Sequence, residues 1–466
     1  MLALASAVTL SLAACGTQGA QPASTGSKPT SAASGDATTV GSFSFNSALY
    51  DGAKKAALDA TGGKTDLGGS VDFVWGTGGA ENDRLKALLQ PFTDATGITV
   101  NVESVANIGQ VVQTRLSAGN PPDVALDTGA GAVHGYFASG KLKPIDGIIP
   151  KDEFVKSFGE GQADALTIDG HIYGIPGASQ GIEVWYNKKT YTGPTENVSY
   201  SDLVKWAEGE VKKGATAPFC TNLEQGPASA VNATVQLDNI IAQEKGADFL
   251  QKLATGAIKY TSPDVEKIYR DYVAQFGDGL VYGGAQGALT SPIKDSPLNM
   301  FTSPQKCQVT HWGSFVPGLI TAAYPDLKPG TDFDYFPLKP EKSSQTPIFY
   351  TWGWETFAFS NSPQTKAFLK YWASTGFQSL TASTGAYVMA NQNVDLQVYP
   401  NDLIRGIAKD MRDSDVRLGP YGIQPVPVRT TLLSAIMGSV ADPSQLHEQL
   451  AKVDKAYATY KASGGK

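Results

Sequence analysis

The chain is 466 residues long, more than one hydrophobic core usually serves, so we expect two domains. Charged residues make up only 17% of it, and the net charge is −7 without any run of Lys or Arg, which excludes nucleic acid as a partner. The four His and three Cys residues show no metal-ligand spacing, so we expect no metal and no other cofactor.

The chain begins with an apolar segment, Leu2 to Ala14, that is shorter than the about 20 residues needed to span a bilayer. It is typical of a secretion signal, which we place at residues 1–14. The following Leu-Ala-Ala-Cys15 matches a bacterial lipobox and predicts cleavage before Cys15 and acylation of its sulfur. A basic n-region is missing, and a buried N-terminal helix is the alternative. We therefore expect an extracytoplasmic lipoprotein anchored to the cell membrane.

A segment of Ser, Thr, Ala, Gly and Pro with almost no apolar side chains follows, over residues 16–41. It cannot bury enough apolar surface to fold, which predicts a flexible tether. We assign residues 15–68 to the lipid anchor and linker. Within them, 42–68 is ambiguous, and a short helix from Ala48 to Ala60 is the alternative there.

The two remaining cysteines, Cys220 and Cys307, are expected to form a disulfide. Export places the chain in an oxidising compartment, where such bonds persist. The bond would stabilise the fold by roughly 4 kcal/mol if it is unstrained. Two free buried thiols are the alternative.

The folded part is predicted to begin with alternating strands and helices. They are a strand at Val71 to Trp75, a helix at Glu81 to Thr93, a strand at Ile98 to Val102, a helix at Ile108 to Leu116 and a strand at Val124 to Leu126. This order indicates a mainly parallel sheet with right-handed crossovers. Ligands of such sheets bind beyond the carboxyl ends of the strands. The candidate ligand-binding residues there are Thr77, Gly78, Glu81, Asp127 and Thr128.

Gly76-Thr-Gly-Gly79 also suggests a dinucleotide-binding turn, with Glu103 near the position that would bind the ribose. The G-x-G-x-x-G pattern would need a glycine where the chain has Glu81. In addition, Glu81 and Asp83 would repel a pyrophosphate from the N-terminus of the helix. We therefore reject this interpretation. For Glu81, stabilisation of the helix N-terminus is the alternative to ligand binding, and the two roles can coexist.

Several motifs carry a family resemblance. They are Asp169-Gly-His-Ile-Tyr-Gly-Ile-Pro176 with the strand ending Tyr186-Asn-Lys188, Thr96-Gly-Ile-Thr-Val100, Leu116-Ser-Ala-Gly-Asn-Pro-Pro-Asp-Val124 and Gly140-Lys-Leu-Lys-Pro-Ile-Asp146. Together they resemble the extracellular solute-binding proteins of sugar ABC importers, the maltose-binding protein superfamily. The resemblance implies an α/β fold of two lobes, the type II periplasmic-binding-protein fold. Each lobe would have a mainly parallel sheet flanked by helices, with a multi-segment hinge between them.

The resemblance also implies the extent of the lobes. We expect an N-terminal lobe at 69–180 and 338–385, and a C-terminal lobe at 185–335 and 386–460. The segment from Asp169 to Pro176 would be the first crossing between them, and Asp334-Tyr-Phe-Pro337 would be the second.

The downstream half is similar to the α-glucoside-binding branch of that superfamily. The motifs are Pro218-Phe-Cys220, Glu224-Gln-Gly226, Val281-Tyr-Gly-Gly284, Asp295-Ser-Pro297, Cys307 before His311, Ser314-Phe-Val-Pro317, Asp334-Tyr-Phe-Pro337 and Asn393 to Pro400. The chain departs from the branch at Trp352-Gly-Trp-Glu355, where a Gly-Ala-Gly-Asp-like loop is usual. It also lacks a Thr-Gly-Trp-Pro run after Gly226, so the specific sugar stays open.

Sugar recognition combines aromatic faces for pyranose rings with polar groups for hydroxyls. Trp312, predicted in a Gly/Ser-flanked loop, is the first stacking candidate, and a core tryptophan is the alternative. Trp352, Trp354 and Glu355 are predicted in a loop after a strand from Pro347 to Tyr350; packing against the lobe is the alternative for the tryptophans. The resemblance adds Gln180 and Glu224 as ligand-binding residues. Tyr387, in Gly385-Ala-Tyr387, and Arg429, in Pro427-Val-Arg429, are further candidates. For Glu224, a solvent-facing loop carboxylate is the alternative.

The resemblance implies a monomeric binding protein. It would capture an α-glucoside (trehalose, maltose, sucrose or a malto-oligosaccharide) in the cleft between the lobes and deliver it to a membrane-embedded ABC permease. A glycoside hydrolase is the alternative, because acids are available; no sequence motif for a catalytic carboxylate pair about 5–10 Å apart is present, however. A cell-surface adhesin is a third possibility, which suits the lipid anchor but not the crossing motifs.

Overall fold

The computed structural model describes residues 36–76, 79–105 and 107–464, a chain that alternates strands and helices. The strands are β1 (Ala37–Val40), β2 (Phe43–Asn46), β3 (Ser70–Trp75), β4 (Thr99–Ser104), β5 (Val124–Thr128), β6 (Thr167–Ile168), β7 (His171–Ile172), β8 (Ile175–Asn187), β9 (Val309–Gly313), β10 (Phe333–Phe336), β11 (Ile348–Ala358), β12 (Val388–Met389) and β13 (Asp415–Leu418). The helices are α1 (Ser47–Ala60), α2 (Ala80–Thr96), α3 (Ile108–Ser117), α4 (Ala132–Ala138), α5 (Lys151–Phe158), α6 (Glu160–Leu166), α7 (Tyr200–Lys212), α8 (Val231–Lys245), α9 (Ala247–Ala254), α10 (Pro263–Ala274), α11 (Gly284–Thr290), α12 (Val316–Ala323), α13 (Pro363–Ala373), α14 (Thr375–Ala382), α15 (Asp402–Arg412), α16 (Pro420–Ile423), α17 (Val426–Ala441) and α18 (Leu446–Ala462).

The main sheet has the strand order β10-β8-β11-β5-β3-β4, with β9 and β12 paired to β8 and β13 paired to β11. The predicted strand–helix alternation at its start is confirmed: β3 runs parallel to β4 and to β5. The rest of the sheet is more antiparallel than predicted. The long strands β8 and β11 run against each other, and β8 is antiparallel to β9 and β10 as well.

Helix α2 shows how the sequence produces the N-terminal layer. Leu85, Leu88, Leu89 and Phe92 recur at helical spacing, and all four are buried. The helix ends at Gly97, whose φ of 67° is left-handed and is therefore suited to glycine.

The buried apolar residues form two clusters, which we call the N-terminal core and the C-terminal core. Two strands pass from one to the other. Strand β8 contributes Ile175 to the N-terminal core and Ile182 to Trp185 to the C-terminal core. Strand β11 contributes Ile348 to Tyr350 to the C-terminal core and Phe357 to the N-terminal core. The fold is therefore two-lobed with a shared pair of strands at the junction, and the predicted lobe boundaries stay a prediction.

A third segment, 416–428, also touches both cores. Val416 and Val428 belong to the C-terminal core, whereas Leu418 and Ile423 between them belong to the N-terminal core. We call β8, β11 and this segment the crossing segments. The second crossing lies in β11 and not at the predicted Asp334 to Pro337, because those residues lead through β10, which pairs with β8 inside the C-terminal core.

The folded part starts earlier than the predicted residue 69. Strands β1 and β2 form a hairpin, and α1 packs against α2, α13 and α14. Tyr50, Ala53 and Ala57 of α1 are spaced for one helix face and are buried in the N-terminal core. The linker prediction was wrong for residues 36–47, whereas the alternative of a short helix from Ala48 to Ala60 is confirmed by α1. This Ala-rich helix buries few large side chains, so its composition resembles that of a tether.

The disulfide between Cys220 and Cys307 is present, with the two Cα atoms 5.4 Å apart. Both cysteines are buried in the C-terminal core. None of the helices in the described ranges is long and apolar enough to cross a membrane. The predicted signal segment and Cys15 lie outside the described residues.

Candidate functional site

A cleft of about 890 Å³ lies where the two lobes meet. One side is formed by the carboxyl ends of β3 and β5 and by α3 and α4, and the other by the start of α17 and the end of α18. Asp127 and Thr128 at the end of β5, Trp354 of β11 and Arg429 of α17 line it, so four of the predicted site residues come together. This is the edge of the sheet where the parallel-strand rule predicts a ligand.

Asp127 is the carboxylate of the cleft. Its side chain accepts hydrogen bonds from the Tyr136 hydroxyl and from the Thr128 backbone N–H. Burial raises the pKa of Asp127, and these two hydrogen bonds together with the positive charge of Arg429 partly offset that rise. The two hydrogen bonds thus fix the orientation of the carboxyl group where it lines the cleft.

Arg429 and the predicted aromatic residue Trp352 are linked through Tyr421. The guanidinium carbon of Arg429 lies 5.2 Å from the centre of the Tyr421 ring, and Trp352 meets the same ring edge-on with a centroid distance of 5.5 Å. The loop after β5 lies against this group: the Gly131 N–H donates to the Gly422 carbonyl at 2.7 Å. A Cβ on Gly131 would come within 2.3 Å of the Gln424 carbonyl, so this approach requires glycine.

Glu81, Trp354 and Tyr387 form a second group beside the cleft. Glu81 in the first turn of α2 accepts hydrogen bonds from Tyr387 and Arg84. Burial and the carboxylate raise the pKa of Tyr387, so it stays a hydroxyl donor at neutral pH. The Trp354 ring contacts Tyr387 at 4.7 Å and Trp75 at 5.3 Å. Glu81 thus accepts a hydrogen bond from Tyr387 and also places a negative charge in the first turn of α2.

Glu355 is buried in the middle of β11, opposite Asp127 of β5 and Pro176 of β8. It is 1% exposed, and its two carboxyl oxygens accept no hydrogen bond from the residues that the structure describes. Burial raises its pKa from 4.5 to about 8, so the group is neutral at pH 7. The prediction that Trp352, Trp354 and Glu355 occupy a loop was wrong, since all three lie within β11.

The glycine between the two tryptophans explains that error. A Cβ on Gly353 would lie 2.1 Å from the Ala178 carbonyl oxygen of β8, so glycine marks a close backbone approach here. The register of β11 against β8 shifts between Gly353 and Glu355, which is a β-bulge. Bulges re-aim side chains, and this one lies at the junction of the two lobes.

Trp312 lies in strand β9 and not in the predicted loop. It is 6% exposed, belongs to the C-terminal core and packs edge-on against Phe315 at 4.8 Å. Phe315 in turn lies 6.5 Å from Trp352. Gln180 faces Trp352 across the β8–β11 pair. Trp312, Gln180 and Trp352 are therefore neighbours in and beside the sheet, and none of the three lines the cleft in the described part of the chain.

A further predicted residue, Glu224, lies elsewhere, and two others are not described. Glu224 is in an exposed loop, where its carboxylate accepts a hydrogen bond from the Gly226 N–H at 3.0 Å. Within the described part of the chain it does not line the cleft. Thr77 and Gly78 lie outside the described residues.

The structure adds cleft residues that the sequence reasoning missed. They include Asn107, Gln110 and Gln113 along α3, and Tyr136 on α4. The three residues at α3 could have been predicted from the sequence, because α3 follows the carboxyl end of β4, and ligands bind at such strand ends. Tyr136 carries no such signal, because only the folded chain brings it to Asp127.

Comparison with known proteins gives a family match over most of the chain. The bacterial extracellular solute-binding protein family matches residues 87–404. The chain is 28% identical over 345 residues to the osmoprotective compounds-binding protein GgtB of Synechocystis sp., covering 72% of this chain and 80% of that one. It is 25% identical over 351 residues to the alpha-glucosides-binding periplasmic protein AglE of Rhizobium meliloti, covering 72% and 75%.

Solved structures share the fold. The bacterial solute receptor AcbH, described as preferring β-D-galactopyranose, superposes with a TM-score of 0.66 at 18% identity, over 85% of this chain and 99% of that one. The cyclic alpha-maltosyl-1,6-maltose binding protein of Arthrobacter globiformis superposes with a TM-score of 0.63 at 16% identity, over 83% and 97%.

Proposed function

The chain belongs to the bacterial extracellular solute-binding proteins, and from that premise we propose that it captures an α-glucoside in the cleft between its lobes for an ABC importer. It acts as a monomer and delivers the sugar to a membrane-embedded permease. The crossing segments form the hinge, and lobe closure buries the ligand. Ligands considered are trehalose, maltose, sucrose and malto-oligosaccharides.

The observation that carries this proposal is the chemistry of the cleft. The half-buried Asp127 carboxyl group and the Arg429 guanidinium, which is stacked on an aromatic ring, line the cleft together with the half-buried ring of Trp354. Pyranose sugars present an apolar ring face and a rim of hydroxyls, which such a mixture of aromatic and polar groups matches.

The α-glucoside class is supported by the relatives. AglE is named for α-glucosides, and GgtB for osmoprotective compounds. The downstream motifs of this chain point the same way, whereas the strand from Trp352 to Glu355 departs from that branch. We therefore propose the class and leave the linkage to experiment.

We infer binding without hydrolysis. A glycoside hydrolase needs a pair of catalytic carboxylates. Asp127 of the cleft has a carboxylic acid as its cross-strand partner, Glu355. A general acid must reach the glycosidic oxygen. Glu355 is 1% exposed and lies within the sheet, so its carboxyl group cannot reach a sugar in the cleft.

A thermal-shift panel tests the ligand. At a hundredfold excess over Kd, a ligand that binds only the folded protein stabilises it by about 2.7 kcal/mol. We expect Tm to rise with one or two of trehalose, maltose and sucrose and to stay unchanged with amino acids, peptides and metal salts. The sugar should be recovered intact by chromatography. A non-carbohydrate as the best ligand would refute the function, and a β-linked or pentose sugar would refute only the α-glucoside class.

Lipid anchoring at Cys15 is a separate proposal that is supported by the lipobox sequence. Replacing Cys15→Ser should move the protein from the membrane fraction to the soluble fraction of the producing cells. Its sugar-induced Tm shift should be unchanged, since Cys15 precedes the folded part. Retention of the Ser variant on the membrane would contradict lipidation at this cysteine.

A further inference from the structure

Helix α8 is a buried helix that carries many polar side chains. Every residue from Val231 to Gln243 is buried, including two charged or amide neighbours, Asp238 and Asn239. Burying a polar group is costly unless it is hydrogen-bonded. The hydrogen-bond partners of these side chains therefore show which elements the helix holds. Three of the side chains bind the crossing segments.

Asn239 and Gln243 bind the backbones of β8 and β11. The Asn239 amide donates to the Ile182 carbonyl of β8 at 3.1 Å. The Gln243 amide donates to the Ile348 carbonyl of β11 at 2.7 Å. Both carbonyls belong to the C-terminal-core ends of these strands. One helix thus fixes both strands within that core.

The Asn239 amide also lies 3.1 Å from Nε2 of His311 on β9. Burial lowers the pKa of His311 to about 3, so its ring is neutral and can accept that hydrogen bond. The same amide therefore ties β8 to its neighbour β9, the strand that carries Trp312.

Asp238 binds both the third crossing segment and β11. Its carboxylate accepts from the Tyr421 backbone N–H at 2.8 Å and from the Tyr350 hydroxyl at 3.1 Å. Tyr421 belongs to the third crossing segment and Tyr350 to β11. A Cβ on Gly419 would come within 3.1 Å of the Asp238 side chain, so the backbone of that segment lies directly against the carboxylate.

We propose that Asp238, Asn239 and Gln243 of α8 are positioning residues that clamp all three crossing segments to the C-terminal lobe. They fix the fulcrum about which the lobes open and close. Through Tyr421, they also position the ring on which Arg429 of the cleft is stacked and which meets Trp352. The effect on sugar binding rests on the function proposed above, whereas the clamp itself does not.

The same helix supplies a matched control. Gln236 is as buried as Gln243, and its amide oxygen accepts from the Tyr272 hydroxyl of α10 at 2.7 Å. Tyr272 lies in the C-terminal core and on no crossing segment. Replacing either glutamine with Met keeps the side-chain volume nearly constant. Gln236→Met removes one buried hydrogen bond, whereas Gln243→Met removes two, the one to Ile348 and one to the Asn239 Oδ1 at 3.2 Å. A purely structural role predicts a loss of Tm in both variants and an unchanged lobe geometry in both.

The experiment measures the interlobe distance in sugar-free protein. Spin labels are placed at Lys86 on α2 and Glu208 on α7, which are exposed and lie in different lobes. We expect Gln243→Met to shift or broaden the distance distribution and Gln236→Met to leave it as in the parent, with a loss of Tm in both variants. Equal distributions for the two variants would overturn the clamp.

A second variant covers the case in which Gln243→Met fails to fold. Tyr350→Phe removes only the hydroxyl that donates from β11 to Asp238, and we expect it to change the same distance distribution. With whichever of trehalose or maltose raises Tm, we expect the Kd of the variant to weaken at least about fivefold, the lower range of a coupling between distant sites. An unchanged distribution in folded Tyr350→Phe contradicts the clamp. The absence of any sugar response in the parent protein contradicts only the proposed function.

Discussion

The N-terminal and C-terminal lobes hold their polar groups in different ways. On the N-terminal side, Asp127 and Thr128 stand at the end of a strand and reach the cavity. On the C-terminal side, Asp238, Asn239 and Gln243 are buried and hydrogen-bonded to the crossing segments. Groups at a cavity surface can exchange water for ligand hydroxyls, whereas buried groups are committed to the fold. Recognition and lobe geometry therefore depend on different residues.

The largest effect should come from Trp312, which the sequence analysis predicted to stack against the sugar. Trp312 is in the C-terminal core, so Trp312→Ala should lower the free energy of unfolding by about 3–5 kcal/mol, as truncation of a buried aromatic residue does. Trp354→Ala should lower it less, because that ring is only half-buried. Urea titrations followed by circular dichroism measure both. A loss below about 1 kcal/mol for Trp312→Ala would return this residue to the cleft surface.

The next effect concerns Glu355, which lies between the two sides. Its pKa is raised from 4.5 to about 8 by burial, so the folded protein keeps a proton that the unfolded chain releases. That contribution is fully present below pH 4.5 and is lost as the pH rises through 8. Glu355 alone should therefore reduce stability by about 3 kcal/mol between pH 5 and pH 8.

Glu355→Gln removes this proton while keeping the shape of the side chain. The fall in Tm between pH 5 and pH 8 should become smaller in the variant, measured by calorimetry in buffers of matched ionic strength. It should not vanish, because burial also raises the pKa of Asp238, to about 7. Identical pH profiles for parent and variant would mean that Glu355 is ionised in the folded protein.

The regular N-terminal layer was predictable because local spacing determines it. The apolar positions of α2 and the strand–helix order from Val71 to Leu126 are visible in sequence, and the end of β5 then gave Asp127 and Thr128. The crossing motif from Asp169 to Pro176 likewise leads directly into β8. These features depend on residues close in the chain.

The C-terminal side was predictable only in part because its features depend on distant contacts. Gly313 and Gly353 suggested loops, yet each permits close packing inside or beside a strand: a Cβ would lie 2.3 Å from the Phe315 ring in the first case and 2.1 Å from a carbonyl oxygen in the second. Likewise, the polar residues of α8 make that helix look amphipathic, whereas their partners are up to 183 positions away.

Recognition itself is tested at Arg429. Arg429→Met keeps much of the aliphatic stem but removes the charge that lies over Tyr421 and lowers the pKa of Asp127. Loss of a charged hydrogen-bonding group should weaken binding of the sugar found in the thermal-shift panel by about 1.5–3 kcal/mol, roughly 10- to 150-fold. Titration calorimetry measures Kd, and Tm without sugar should change little. Unchanged affinity would remove Arg429 from the site.

The smallest effect is expected at Glu224, which the family resemblance placed among the ligand-binding residues. In the structure its carboxylate accepts from the Gly226 N–H in an exposed loop, and an amide oxygen can accept the same hydrogen bond. Glu224→Gln should therefore change stability by less than about 0.5 kcal/mol, as surface substitutions usually do. If the residue stays outside the cleft when the lobes close, Kd should change less than about threefold, which corresponds to well under 1 kcal/mol. A tenfold weakening without loss of Tm would show instead that closure brings this loop to the sugar, and the C-terminal side would then contribute an acid to recognition, as Asp127 does on the N-terminal side.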